Sequence, residues 1–158
     1  MFRFITLLAM LLPLFAHAGF EEATQAYGAG DYATAMAEFK PLAEQGDAKS
    51  QYFVGFLHYR GYGVPKDDVA AASWFRKAAA QGDTLGAFYL GKMYEKGEGV
   101  EKDLIQAHLW LSVSAKNAPN ARDAGYTKED IQKIERKMSP EQLAKAKELG
   151  KQWKPEKN

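Results

Sequence analysis

The chain has 158 residues and a mass of 17.6 kDa, with 21 basic against 20 acidic residues and no cysteine. That length sets one compact domain or one short repeat array, and the balanced charge argues against a broad nucleic-acid-binding surface. Without cysteine, disulfide staples, thiolate zinc sites, iron–sulfur clusters, cysteine nucleophiles and a lipidated N-terminal cysteine are excluded.

Residues 1–18 read as a secretory signal peptide. Arg3 supplies a positive start, Ile5 to Phe15 form an apolar run interrupted by Thr6 and Pro13, and Ala16-His17-Ala18 has the small-x-small pattern that precedes a cleavage site. The expected mature start is Gly19, and the run is short for a bilayer span; a retained anchor is the alternative. Processing predicts a periplasmic protein of a Gram-negative bacterium that keeps no transmembrane anchor, and the missing lipid-attachment cysteine favours a soluble location over an anchored one.

From there the chain repeats itself at an offset of 36 residues. Gly46-Asp47 recurs at Gly82-Asp83, Gly55 at Gly91, Gly61 at Gly97, Gly63-Val64 at Gly99-Val100, Asp67 at Asp103, Ala71 at Ala107 and Trp74 at Trp110. Such concerted spacing is the mark of a helical solenoid, two helices to a repeat. A partial copy precedes the full ones, because Asp31, Phe39 and Ala43 stand 36 residues before Asp67, Phe75 and Ala79.

The pattern predicts helices at about 19–29, 31–45, 47–60, 67–81, 83–96 and 103–116. Asp47, Asp67, Asp83 and Asp103 stand where a carboxylate caps opening amides, and Asp103 with Gln106 predicts a reciprocal capping box. Gly46, Gly61, Gly82 and Gly97 stand where each helix must stop, in the left-handed conformation that glycine adopts freely. Gly55 and Gly91 fall inside helices, where glycine costs helix propensity, so their expected compensation is close approach of a neighbouring helix. Beyond residue 118 the pattern lapses, with Pro119 in the place of Asp83. Two cap helices are expected there, one opened by Thr127 and Asp130, the other by Ser139-Pro140-Glu141-Gln142. Pro155 to Asn158 should fray.

These motifs resemble the Sel1-like repeat family, a relative of tetratricopeptide solenoids. The first copy reads Val54-Gly55-x-Leu57-x-x-x-Gly61-x-Gly63-Val64-Pro65-x-Asp67 and then Ala71-x-x-Trp74-Phe75-x-Lys77-Ala78-Ala79-x-Gln81-Gly82. The second reads Leu90-Gly91-x-Met93-Tyr94-x-x-Gly97-x-Gly99-Val100-x-x-Asp103 with Ala107-x-x-Trp110. The resemblance implies an all-α fold, a short right-handed α/α superhelical repeat solenoid with C-terminal capping helices. Its expected organisation is an N-terminal partial repeat over 19–46, repeats over 47–82 and 83–118, a helical cap over 119–154 and a flexible tail over 155–158. It also implies an inner face that binds proteins, with roles in complex assembly, signalling and envelope processes. Cysteine-rich relatives associated with β-lactams carry paired cysteines that this chain lacks, so no enzymatic role is carried over by position.

The residues themselves point the same way. His58 stands where Tyr94 stands in the next copy and reads as an aromatic substitute in a packing layer. His108 has no second histidine or carboxylate cluster at ligand spacing, so no metal is expected. No recognisable nucleophile elbow surrounds Ser50, Ser73, Ser112, Ser114 or Ser139, and Gly61-Tyr62-Gly63 and Gly97-Glu98-Gly99 join helices without a Walker lysine, so neither a catalytic residue nor a cofactor is expected. The candidate partner-binding groove consists of Tyr52, Phe56 and Tyr59 in one first helix with Phe88, Lys92 and Glu95 at the same offset in the next. The expected function is an exported, non-catalytic adaptor that binds a protein or peptide of the bacterial cell envelope. The alternatives are a cell-wall-associated binding or accessory hydrolase protein, and a structural domain that self-associates through its cap as a homo-oligomer.

Overall fold

The computed structural model describes residues 12–156, apart from the side chains of residues 12–18, 121, 123 and 126. Residues 1–11 of the expected signal peptide, and Lys157 and Asn158 of the expected tail, lie outside that range. The described residues form eight helices and no strand: α1 (Leu12–Gly28), α2 (Tyr32–Glu44), α3 (Ala48–Arg60), α4 (Asp68–Ala80), α5 (Thr84–Lys96), α6 (Leu104–Asn117), α7 (Ala121–Glu135) and α8 (Pro140–Gln152). They build an all-α solenoid in which α1 pairs with α2, α3 with α4 and α5 with α6, each pair packing on the next.

Local chemistry sets the helix starts. Asp31, Asp67, Asp103 and Ser139, each 36 residues after the last, cap α2, α4, α6 and α8. Each side chain accepts a first-turn N–H that has no partner inside its helix, as in Ala70 N to Asp67 Oδ1 at 2.9 Å. Asp47 and Asp83 do the same for α3 and α5. The reciprocal box expected at Asp103 is only half made, since Asp103 Oδ1 accepts from both Ile105 and Gln106 while Gln106 returns no bond. The full box forms instead at Ser139 and Gln142, with Pro140 at the first helical position.

Three boundaries differ from expectation. Helix α1 is already formed at Leu12, the first described residue, instead of starting at 19, and it runs through Ala18-Gly19. Helix α7 begins at Ala121, so Thr127 and Asp130 do not open it. Thr127 is buried inside it, and Ile134 in its last turn packs on Ala107 and Leu111, so burial of an apolar stripe outweighed the capping signal. Pro155 and Glu156 are tied down instead of fraying: Glu156 N–H donates to Ala80 O at 2.9 Å, carrying the chain back over the α4–α5 turn.

The glycines explain how closely the pairs pack. Gly46, Gly61, Gly82 and Gly97 all take the expected left-handed conformation. A Cβ at Gly55 would stand 2.8 Å from the Phe75 ring, and one at Gly91 would stand 2.8 Å from Leu111 Cγ, so α3 and α5 lie against their partner helices at a distance that only glycine permits. Phe75 and Leu111 are themselves 36 residues apart and fully buried, as is Phe39. The second glycine of each Gly-x-Gly loop has a different task. At Gly99, with φ of 66°, a Cβ would stand 2.1 Å from Asp68 O, and Gly63 meets Tyr32 in the same way, so each loop rests on the opening turn of the preceding second helix.

Side-chain amides then latch one repeat to the next. Gln81 Nε2 donates to Gly46 O and to Gln51 Oε1, both at 2.9 Å, and Asn117 Nδ2 donates to Gly82 O at 3.1 Å, one period later. The bonds to Gly46 and Gly82 each satisfy a turn carbonyl outside the helices.

Candidate partner-binding groove

The first helices of successive pairs, α1, α3, α5 and α7, present one face along the solenoid, and all six expected groove residues lie on it half-buried. They divide into two groups, each turned toward the following first helix. Tyr52, Phe56 and Tyr59 of α3 meet Tyr89 of α5, with ring centroids 6.1, 5.4 and 5.7 Å away. One period on, Phe88, Lys92 and Glu95 of α5 meet α7. Phe88 packs against the cluster of Leu111 and Ile134, Lys92 Nζ lies 2.6 Å from Glu95 and 3.6 Å from Asp130, and Lys137 Nζ lies 3.3 Å from Glu95.

The two groups therefore differ chemically. The aromatic group stays open along one side. Burial, and then the neighbouring Tyr89 and Tyr27 phenols, push the Tyr52 hydroxyl well above the usual phenol range, and burial with Tyr59 raises Tyr89, so these rings stay neutral. Tyr59 Oη donates to Glu98 Oε2 at 3.3 Å. In the charged group, burial opposes ionisation of both partners. Burial is the largest single influence on each, but the hydrogen bond and charge attraction between Lys92 and Glu95, added to those of Asp130 on one side and Lys137 on the other, together outweigh it: Lys92 is held above the ordinary lysine range and Glu95 below the ordinary glutamate range. This half of the face is a clasp between α5 and α7.

Four residues of the open half escaped sequence reasoning. Tyr89 is its hub, stacked on Phe75 at 5.2 Å, and the offset carries the explanation: Phe53, 36 residues earlier, stacks on Phe39 at 4.4 Å. Tyr27 of α1 meets Phe53 at 5.3 Å and Phe56 at 6.4 Å, extending the ladder to the first pair. Tyr62, in the Gly-x-Gly loop, stacks on Tyr32 at 4.4 Å, and the exposed Arg60 guanidinium lies 5.5 Å from the Tyr62 ring. A separate cleft of about 900 Å³ opens away from this face, where Phe20 and Thr24 of α1 meet Leu42 and the α2–α3 turn.

The two histidines are placed differently. His58 is half-buried in the position of Tyr94, as expected, and its Nδ1 makes no hydrogen bond. His108 is 4% exposed, and folding brings it the carboxylate that its neighbourhood in sequence lacks: Nε2 lies 3.1 Å from Glu135 Oε1, while Ser112 Oγ lies 3.4 Å from Nδ1. Serine, imidazole and carboxylate in that order invite comparison with a hydrolytic triad. Ser112, however, sits inside α6, whose backbone amides are committed to helical bonds and offer no oxyanion hole, and the serine contact is at the outer limit of a hydrogen bond. Glu135 also accepts from Lys147 at 3.4 Å, so the cluster joins α6, α7 and α8. Among the described residues, no group of three or more histidines, aspartates and glutamates is placed to hold a metal ion, and no helix is long and apolar enough to cross a membrane.

Comparison with known proteins agrees with this architecture. The Sel1 repeat family matches residues 48–83 and 84–118. No curated protein matches the chain. Among solved structures, a protective antigen present in uropathogenic Escherichia coli strains and displaying an SLR fold superposes with a TM-score of 0.79 at 30% identity, over 87% of this chain and 29% of that one. A Sel1 repeat protein from Oxalobacter formigenes superposes with a TM-score of 0.58 at 30% identity, over 63% of this chain and 39% of its own. The chain thus spans well under half the length of either relative.

Proposed function

Because this chain belongs to the Sel1-repeat family, we propose that it works as a non-catalytic adaptor that holds an extended segment of a protein partner along the first-helix face, in the bacterial cell envelope. The observation that carries the reading is the continuous run of half-exposed rings from Tyr27 through Phe56 and Tyr59 to Tyr89, with Arg60 and Glu98 beside it. Aromatic rings flanked by a few polar groups supply large contact area at low entropic cost, the usual composition of interface hot spots. The exported location rests on Arg3, the apolar run and Ala16-His17-Ala18. Cleavage after Ala18 would spare the packing of Phe20 on Phe39 and Phe53.

One experiment tests both parts. The full chain, tagged at its C-terminus, is expressed in a Gram-negative host and crosslinked in intact cells, and its N-terminus and captured proteins are identified by mass spectrometry. The expected result is a chain starting at Gly19 with a reproducible envelope partner. The Tyr59→Ala/Arg60→Ala variant should lose that partner at least tenfold while keeping its helicity, because neither residue is fully buried. An unprocessed cytoplasmic chain would overturn the location, and undiminished capture by the variant would overturn the groove.

A further inference from the structure

The α6–α8 side of the molecule holds a second cleft, of about 290 Å³, on second helices and apart from the aromatic face. Its volume is at the lower end of the roughly 300–1,000 Å³ typical of small-ligand sites, room for one side chain and a terminal group. The half-buried Trp153 makes its apolar wall, over a floor in which Val113 and Ala146 are buried. Trp153 is held in place by packing against the buried cluster shared by α4, α5 and α6.

Gly150 is the informative residue. It lies inside α8, where glycine lowers helix propensity, yet nothing stands within 4 Å of the space its Cβ would fill. Gly55, Gly86 and Gly91 all have a neighbour at 2.8 Å in that space, so packing accounts for them and not for Gly150. Gly125 is equally open but lines none of these clefts. At Gly150 the missing side chain keeps the cleft open.

The rim is cationic. Lys116, Lys147 and Lys151 line it, and no carboxylate does. Lys147 is shared with Glu135 at 3.4 Å, and Lys151 reaches the exposed Glu148 only at 4.0 Å, while Lys116 makes no ion pair among the described residues. Ser112 adds a hydroxyl whose 3.4 Å contact with His108 a stronger acceptor would displace. An apolar pocket with lysines at its mouth is complementary to an apolar group that ends in a carboxylate. We propose that this cleft binds the C-terminal residue of a partner polypeptide, its apolar side chain against Trp153 and its carboxylate toward Lys116 and Lys151.

The test uses the purified full chain and three probes: acetyl-Ala-Leu with a free carboxylate, the same dipeptide as its C-terminal amide, and inorganic phosphate. The indole N–H of Trp153 and the amides of Ser112 and Gly150 are followed by NMR. The free acid should shift all three saturably, and the amide should bind at least tenfold more weakly. Gly150→Leu, which improves helix propensity and fills the cleft, should abolish the shifts with a melting temperature no lower than the parent's, and Lys116→Met should weaken binding several-fold. Equal binding of acid and amide, the same three shifts with phosphate, or undiminished binding to the Gly150→Leu protein would each overturn the assignment. None of these outcomes depends on the aromatic groove.

Discussion

At Gly91 and Gly125 the same substitution should have opposite effects. Alanine at Gly91 gains up to about 1 kcal/mol of helix propensity but drives a methyl to 2.8 Å from Leu111 Cγ and 3.1 Å from its backbone nitrogen. Overpacking of that kind costs about 1–3 kcal/mol, so a net loss is expected. Alanine at Gly125, where nothing stands within 4 Å, should stabilise by up to about 1 kcal/mol. Urea denaturation of the two variants checks both signs. His58 offers a test in pH. Burial lowers its pKa below 6.5, against the pull of Asp67 and with the help of Lys40, so the folded state holds fewer protons than the unfolded chain. Stability is full above about pH 6.5 and falls as the pH drops through the folded-state value. His58→Tyr, which installs the residue found at Tyr94, should show a smaller loss between pH 7 and pH 5 than the parent protein in parallel thermal melts.

Among the elements, the last pair is joined unlike the others. Helix α8 packs chiefly on α6, and Glu135 near the end of α7 links all three helices by accepting from His108 and Lys147. Glu135→Ala would leave the buried His108 Nε2 without a partner, at a cost of about 1–3 kcal/mol, and should loosen the cap before the repeats. Glu135→Gln keeps an acceptor and should recover much of that loss. The hydrogen bond from His108, followed by Lys147, holds the Glu135 carboxyl below its ordinary 4.5. Its stabilisation is therefore complete above that value and is lost as the pH falls through the folded-state pKa, a dependence that the Gln variant should lack. Hydrogen exchange of α7 and α8 amides at pH 7 and pH 3.5 would show it; equal protection in parent and variant at both values would remove Glu135 from the joint.

Across the whole molecule, the properties legible in the sequence are those governed by a few consecutive residues. Capping needs an acceptor three residues before a free N–H, and a helix stop needs a residue that tolerates positive φ, so the starts of α2 to α6 and the turns at Gly46, Gly61, Gly82 and Gly97 follow from local rules repeated every 36 residues. The same period reaches Ser139, which caps α8 as Asp103 caps α6, although Pro119 masks it in the sequence. Tertiary structure alone decided what faces what. It divided the six expected groove residues between an open aromatic ladder and a clasp with α7, gave His108 a carboxylate 27 positions away, and placed Thr127 inside a helix that it was expected to begin. Helix rotation and the choice of neighbour depend on apolar surface summed over several elements, a quantity that no spacing within one segment records. A period of 36 could therefore determine the repeat, while only packing could decide which side of each helix was left open to a partner.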